Sequence, residues 1–278
     1  MEEKTLTRRE FDLLRKYVYE HAGISLSDQK MSLVQGRLSK RLRQLGLTSY
    51  KQYYDHLLED DGGDELVFMI DAISTNVTSF FRERSQWEYL HRELAPLVAS
   101  RPHKAFRIWS AGCSSGEEPY SIAMFLHEKL PSHDIANCKI LATDISQDIL
   151  RRAMKGYYSS RNVEGLPRKY ITKYFNKERT GGKGDDVQYR IQPWLRQMIL
   201  FRMFNLVYGN FSVFQNPMDI IFCRNVMIYF DMETRDALIA RFAELLYPGA
   251  HLFIGHSESL TRNSKLFRMV QPSIYQRI

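Results

Sequence analysis

One segment combines an apolar run, a glycine-containing turn and two acids, and it is well suited to bind a small molecule. Residues 108–120 read Ile-Trp-Ser-Ala-Gly-Cys-Ser-Ser-Gly-Glu-Glu-Pro-Tyr, which predicts a strand, a loop and a helix. Gly112 and Gly116 are spaced G-x-x-x-G, not the G-x-G-x-x-G that admits a pyrophosphate, and Glu117 and Glu118 would repel phosphate. The loop favours a nucleotide cofactor without phosphates, such as S-adenosylmethionine. A glycine turn that only reverses the chain is the alternative.

Polar residues also follow two later apolar segments. Asp144 ends Ile-Leu-Ala-Thr-Asp, where an acid grips ribose hydroxyls in nucleotide-binding α/β domains. Asp144 is also suited to cap the next helix, although Ser146 or Asp148 would serve equally well. Asn225 and Tyr229 follow a third apolar segment, where we expect cofactor and substrate to meet.

The hydrophobic pattern supplies a scaffold for these residues in two parts. Up to about residue 82 the apolar residues recur at helical spacing. Later, short apolar runs at residues 106–109, 139–143, 219–223 and 251–255 alternate with amphipathic helices. This alternation predicts a mostly parallel, doubly wound α/β sheet that binds ligands at the carboxyl ends of its strands.

The predicted organisation is a helical domain over residues 1–82, a linker helix over 83–101 and an α/β domain over 102–278. The α/β rhythm is interrupted between about 157 and 204, where a glycine-rich stretch at 180–186 is flanked by apolar segments at 187–191 and 198–204. We expect a small insertion there that contains a β-hairpin.

Composition restricts the class of protein. The chain has 278 residues, of which 44% are hydrophobic, enough for a packed core. A charged N-terminus and the lack of a run of about 18 apolar residues predict a cytoplasmic protein without membrane insertion. The three cysteines, Cys113, Cys138 and Cys223, form no C-x-x-C pair, so we expect neither a metal site nor a disulfide framework.

The net charge of +7 suggests an anionic partner, but it fits nucleic acid, an acidic membrane or an acidic protein equally well. Residues 30–43 contain no acid and five cations: Lys30, Arg37, Lys40, Arg41 and Arg43. At helical spacing an apolar stripe occupies another face, formed by Met31, Val34, Leu38, Leu42 and Leu45. Taken alone, this pattern favours a solvated charged face, with an acidic docking partner as the alternative.

Four motifs, in order along nearly the whole chain, resemble the CheR-type chemotaxis receptor glutamate O-methyltransferases. They are residues 75–82 (Thr-Asn-Val-Thr-Ser-Phe-Phe-Arg), 109–120, 142–145 (Ala-Thr-Asp-Ile) and 223–230 (Cys-Arg-Asn-Val-Met-Ile-Tyr-Phe), followed by His256-Ser257-Glu258. The resemblance implies a small all-helical receptor-docking domain before a Rossmann-like, S-adenosylmethionine-dependent methyltransferase domain. It departs from the commonest family pattern at Gly112, where alanine is frequent.

The resemblance also implies roles for individual residues. Cofactor contacts are implied for Asn76, Thr78, Arg82, Glu118, Asp144, Asn205, Leu206, Asn225 and Val226. Catalytic roles are implied for Arg37 and Tyr229, and the five cations of residues 30–43 are implied to dock on acidic methylation helices of receptors. Chemically, Arg82 suits the methionine carboxylate and Asn205 suits the adenine edge. Glu118 or Asp144 suits the ribose or the ammonium group.

We therefore expect methyl transfer from S-adenosylmethionine to receptor glutamates, giving γ-methyl esters and S-adenosylhomocysteine. No general base is needed, because a glutamate with a reference pKa near 4.3 is already ionised at neutral pH. We expect a monomer that does not bind nucleic acid; in some family members the hairpin also binds a receptor tail peptide.

Two alternatives stay open at this point. A nucleic-acid methyltransferase fits the charge, but Asn-Pro-Pro-Tyr, Asp-Pro-Pro-Tyr and Pro-Cys motifs do not occur in the sequence. A non-catalytic, receptor-binding scaffold of the same fold is the other alternative. The intact Glu118, Asp144, Asn225 and Tyr229 argue against it.

Overall fold

The computed structural model describes residues 5–60, 63–74, 78–100, 105–179, 187–260 and 264–278. A helical N-terminal part precedes an α/β part, which confirms the predicted fold class. The first part contains α1 (Arg8–Ala22), α2 (Met31–Gln44), α3 (Tyr50–Glu59) and α4 (Asp64–Ile73), and α5 (Arg84–Ala99) follows. Within the described ranges, no helix has both the length and the apolar character needed to cross a bilayer.

Local sequence signals explain where the first helices begin. The Thr7 side chain accepts a hydrogen bond from the Glu10 amide and Glu10 reaches back to the Thr7 amide, a capping box at the start of α1. Ser49 caps α3 through the amide of Gln52. The predicted apolar stripe of α2 is buried at Val34, Leu38 and Leu42.

The α/β part contains the remaining elements. Its strands are β1 (Phe106–Ala111), β2 (Cys138–Asp144), β3 (Tyr157–Ser159), β4 (Phe175–Arg179), β5 (Val187–Ile191), β6 (Ile199–Met203), β7 (Met218–Cys223), β8 (Leu246–Ile254), β9 (Phe267–Gln271) and β10 (Ile274–Arg277). Its helices are α6 (Glu117–Lys129), α7 (Ser132–Asn137), α8 (Gln147–Lys155), α9 (Ser160–Val163), α10 (Arg168–Tyr174), α11 (Pro193–Arg196) and α12 (Met232–Leu245).

The larger sheet has the order β6-β2-β1-β7-β8-β10-β9. Strands β6, β2, β1, β7 and β8 run parallel, and β10 and β9 continue the sheet in antiparallel pairing. The order reverses between β1 and β7, the position at which open α/β sheets bind ligands. The carboxyl ends of β1, β2 and β7 therefore bring Gly112, Asp144 and Asn225 to one edge.

Both faces of this sheet are covered. Alternate residues of β1 enter different cores. Ile108 belongs to the core that includes α5 and α6. Trp109 packs against Phe242 of α12, in the core that extends into the helical N-terminal part. Trp87, on α5, belongs to the first core, so α5 packs on the sheet as a structural layer. The Trp109 indole N–H donates to the hydroxyl of Thr143 at 2.9 Å, which satisfies its polar atom inside the core.

The insertion differs from the expectation at its C-terminal end. Strands β4 and β5 form the predicted antiparallel hairpin, and β3 adds to β5; the glycine-rich stretch 180–186 lies outside the described residues. We expected residues 198–204 to flank this hairpin. Instead β6 pairs in parallel with β2 in the larger sheet, from Ile140–Ile199 to Asp144–Met203. A five-residue apolar run specifies a strand but not its partner, which explains the difference.

A buried ion pair joins α2 to α4. Glu65 is 4% exposed, and Arg41 donates from Nε to both of its carboxylate oxygens at 3.0 and 3.2 Å. The Tyr53 hydroxyl donates to Glu65 at 2.7 Å, and the Arg41 guanidinium stacks 4.1 Å from the Phe68 ring centroid. The cation is therefore part of the packing of the helical domain.

Replacing Arg41 by methionine should lower the free energy of unfolding by about 3 kcal/mol, because a buried carboxylate that loses its cation costs roughly 3–5 kcal/mol and Arg41 is itself partly exposed. Arg43→Met is the matched control, since Arg43 is exposed on the same helix; it should change stability by about 0.5 kcal/mol or less. Urea unfolding measures both. Equal losses in the two variants would contradict a structural role for Arg41.

Candidate functional site

A pocket opens at the carboxyl edge of the larger sheet, between the sheet and the helical N-terminal part. Eight of the nine residues expected to contact a cofactor line it: Thr78, Arg82, Glu118, Asp144, Asn205, Leu206, Asn225 and Val226. The ninth, Asn76, lies outside the described residues. Residues from α1 and α4, including Ala22 and Asp71, also line the pocket.

The glycine loop bends tightly beneath this pocket. The amides of Gly112 and Cys113 both donate to the Thr143 carbonyl at 2.8 Å. Gly112 has a φ of +84°, and a Cβ at this position would overlap the Val226 side chain. Glycine adopts this backbone conformation without strain, and a side chain here would displace Val226 in the loop after β7.

Asp144 is half-buried at the end of β2, where the Ser114 and Ser146 amides donate to its carboxylate at 2.9 and 3.1 Å. Burial raises its pKa to about 6, and nearby Asp71 adds to the shift, although the two amides oppose it. Ser146 caps α8 by accepting from the Ile149 amide at 3.3 Å. The capping alternative for Asp144 is thus excluded, and its carboxylate faces the pocket.

Glu118 is bound at both oxygens. The Ser110 hydroxyl donates to one at 2.6 Å, and Nε of buried Arg224 donates to the other at 2.6 Å. Arg224 also donates to the Arg82 carbonyl at 2.6 Å. The positive charge of Arg224 compensates the negative charge of Glu118, so Glu118 is less available to bind a cationic group of a ligand than we expected. We predicted no role for Arg224, although a charged residue directly after an all-buried strand was an available signal.

Two polar atoms at the pocket are buried without a partner in the part of the chain that the structure describes: the Asn225 Oδ1 and the Ser114 hydroxyl. A buried, unsatisfied acceptor costs roughly 1–3 kcal/mol, so such atoms mark places where a ligand donor fits. With the Asp144 carboxylate and the cation of Arg82, this set matches a ligand with hydroxyls, an amine and a carboxylate. The residues therefore fit S-adenosylmethionine.

Asn205 lines the pocket, but its amide is engaged with the protein backbone. Its Nδ2 donates to the His21 carbonyl at 3.0 Å, and its Oδ1 accepts from the amides of Val207 and Tyr208 at 2.9 and 3.1 Å. These bonds do not agree with the expectation that this amide pairs with an adenine edge. They join the segment after β6 to the end of α1. Leu206 is buried and lines the pocket as expected.

The end of α1 closes over the loop that carries Tyr229. The Ser25 amide donates to the Tyr229 carbonyl at 2.8 Å, and Ile24 forms an isolated β-bridge with Phe230. The Tyr19 hydroxyl donates to Asp231 at 2.7 Å. The helical part therefore covers the pocket through direct contacts. It also places Asp71 in the pocket lining, a residue that we did not predict from the sequence. A lone acid in the apolar stretch of α4 was the available signal.

The five cations of residues 30–43 are not equivalent. Lys30, Arg37, Lys40 and Arg43 are exposed. Arg37 donates to the Ala72 carbonyl at 3.1 Å, next to Asp71, but it does not line the pocket. The assignment of Arg41 to substrate binding is not supported, because its guanidinium is held by Glu65.

Comparison with known proteins covers both parts of the chain. Residues 9–74 match the family model described as "CheR methyltransferase, all-alpha domain", and residues 76–276 match "CheR methyltransferase, SAM binding domain". A chemotaxis protein methyltransferase of Borreliella burgdorferi is 38% identical over 98% of this chain and 95% of its own length. Chemotaxis protein methyltransferase 2 of Pseudomonas aeruginosa is 41% identical (97% and 93%), and the Escherichia coli chemotaxis protein methyltransferase is 35% identical (99% and 92%).

Among solved structures, magnesium protoporphyrin IX methyltransferase from Synechocystis PCC 6803 with bound SAM aligns over 69% of this chain and 78% of its own, at 16% identity and a TM-score of 0.36. The two family models and the near-full-length relatives establish the family of this chain. The chain belongs to the CheR family of S-adenosylmethionine-dependent methyltransferases.

Proposed function

We propose that this protein transfers a methyl group from S-adenosylmethionine to glutamate side chains of chemoreceptors, forming γ-methyl esters and S-adenosylhomocysteine, and that it acts as a cytoplasmic monomer. The observation that carries the proposal is a pocket lined by eight of the nine expected cofactor residues in a chain similar to chemotaxis methyltransferases over almost its full length. Those relatives do not favour the nucleic-acid alternative.

The chain's own groups suit each end of the cofactor. Arg82 would hold the methionine carboxylate through its planar fork of N–H donors, and ionised Asp144 would accept from the ribose hydroxyls. The Asn225 Oδ1 would accept from an N–H or O–H of the ligand. When bound, S-adenosylmethionine supplies a methyl group on a cationic sulfur, which an anionic oxygen attacks in line.

The protein's contribution to the reaction is placement and exclusion of water. A glutamate with a reference pKa near 4.3 is ionised at neutral pH, so no side chain must remove a proton. Ala22, Ile24 and Phe230 give the pocket an apolar roof, which limits water beside the reacting groups. Tyr229 lines the pocket, and we assign it and Arg37 the task of orienting the incoming carboxylate.

The charge distribution supports an acidic partner, but most of the excess positive charge lies outside residues 30–43. Residues 147–204 contain 13 Lys or Arg and 5 Asp or Glu, a net charge of +8, whereas the other 220 residues sum to −1. Acidic receptor helices would therefore be attracted by the insertion and α8 together with the exposed Lys30, Lys40 and Arg43 of the first part. Strand β4 is an edge strand of the small sheet, which suits an extended receptor tail peptide.

The direct test uses tritiated S-adenosylmethionine with receptor-containing membranes from the source cell. Mild alkali should release the label as volatile methanol, because a glutamyl methyl ester is hydrolysed whereas a methylated nitrogen is not. Label that stays on the protein or on nucleic acid after alkali would contradict the proposed product.

Asp144→Asn should weaken binding of S-adenosylmethionine and S-adenosylhomocysteine at least tenfold at pH 7.5. The pKa of Asp144 is about 6, so the carboxylate is ionised above that pH and gains a proton below it. Affinity of the unmodified protein should therefore fall between pH 7 and 5, and the variant should lack this decrease. Titration calorimetry measures both.

Asp148→Asn serves as the control for the pH experiment, because Asp148 is an exposed acid on α8 that pairs with Arg151. Its affinities should follow those of the unmodified protein at every pH. An Asp144→Asn variant that binds as tightly as the unmodified protein would show that the ribose lies elsewhere.

Arg37→Ala should reduce kcat at least tenfold at saturating receptor and leave cofactor affinity unchanged. Arg37→Lys should not rescue it, because an ammonium lacks the planar pair of donors that orients a carboxylate. Lys40→Ala, on the same helix, should mainly raise KM for receptor, an effect that fades with added salt. Steady-state kinetics at two ionic strengths separate the two; normal kcat in Arg37→Ala would limit Arg37 to docking.

A further inference from the structure

Glu258 is a buried carboxylate in the turn after β8, and it does not line the cofactor pocket. One of its oxygens accepts from the Gly255 amide at 2.6 Å and from the Asn225 amide at 3.0 Å; the other accepts from the Ile228 amide at 3.1 Å. The Met227 amide also donates to this carboxylate. A single side chain thus binds its own turn and most of the loop between β7 and Tyr229.

Close contact between the two loops depends on Gly255. A Cβ on Gly255 would lie 2.6 Å from the Asn225 Nδ2, 2.8 Å from Glu258 and 2.9 Å from the Asn225 amide nitrogen. Asn225 itself has a φ of 59°, in the left-handed region that residues other than glycine rarely occupy. The bonds to Glu258 supply a reason for this conformation to persist.

The turn is also anchored on its other side. The His256 amide donates to Glu83 at 2.9 Å, just before α5 begins. Arg224 lies 3.7 Å from the second Glu83 oxygen. The carboxylate of Glu258 is therefore held in a turn that is attached to the N-terminal end of α5 and cannot easily follow a movement of the loop that it binds.

The geometry points to Glu258 as a positioning residue for methyl transfer, which we propose fixes the Asn225–Tyr229 loop so that the unpaired Asn225 Oδ1 meets the cofactor and Tyr229 meets the substrate. The inference rests on the proposed function. Glu258 would act through the loop backbone and would touch neither ligand. This role accounts for the His256-Ser257-Glu258 motif, which the cofactor and substrate sites leave unexplained.

Glu258→Gln tests the proposal with the smallest change of shape. An amide keeps one acceptor oxygen but turns an NH2 group toward amides that need an acceptor. We expect the dissociation constant for S-adenosylhomocysteine to rise about fivefold or more and kcat at saturating cofactor and receptor to fall about tenfold. KM for receptor should stay within twofold, because docking occurs on other surfaces. Gly255→Ala should produce the same pattern from the opposite side of the contact.

Asp219→Asn is the matched control, since Asp219 is also a buried acid that accepts a backbone amide, from Arg107 at 2.8 Å. It lies near the start of β7, at the opposite end of the strand from Asn225. Both Asp219→Asn and Glu258→Gln should lower the melting temperature, so assays are run well below it. Only the Glu258 and Gly255 variants should change cofactor affinity and kcat.

The proposal is overturned if Glu258→Gln binds S-adenosylhomocysteine and turns over within twofold of the unmodified protein, or if Asp219→Asn reproduces its kinetic losses. Failure of the proposed function looks different, because the unmodified protein would then yield no alkali-labile methyl ester. The binding measurement needs no turnover, so it tests the loop independently of the receptor assay.

Discussion

The pair formed by Arg224 and Glu118 ties together the parts of the site that come from distant places in the sequence. It joins the end of β7 to the start of α6, and Arg224 also holds the Arg82 carbonyl before α5. Both side chains are almost fully buried, so neither charge is stable there without the other. Loss of one partner would weaken the contacts between the start of α6, the Arg82 turn and the end of β7.

The helical N-terminal part contributes to the lining of the pocket. Contacts from the end of α1 to the Tyr229 loop, and from Asp71 to Ser146 at 2.9 Å, place its residues directly over the cofactor site. Receptor docking on this part, as we propose it, and cofactor binding beneath it would therefore share a boundary. If contacts across that boundary differ between the free and the bound protein, binding of one ligand would change the affinity for the other.

Much of the site was predictable because parallel strands align their carboxyl ends. Once β1, β2 and β7 were recognised, Gly112, Asp144 and Asn225 had to meet at one edge. The features that we predicted wrongly depend on contacts between residues that are distant in the sequence. Nothing local distinguishes Arg41, which binds Glu65 across the helical domain, from exposed Arg43. Likewise, the sequence of β6 is compatible with a strand in either sheet, and only its pairing with β2 places it in the larger one.

A crystal structure of this protein with S-adenosylhomocysteine would show directly where the cofactor lies. We expect the ligand at the edge formed by β1, β2 and β7, with its ribose on Asp144, its carboxylate on Arg82 and its sulfur toward Tyr229. A ligand bound with its ribose away from Asp144, or outside the pocket between the helical part and the sheet, would contradict it.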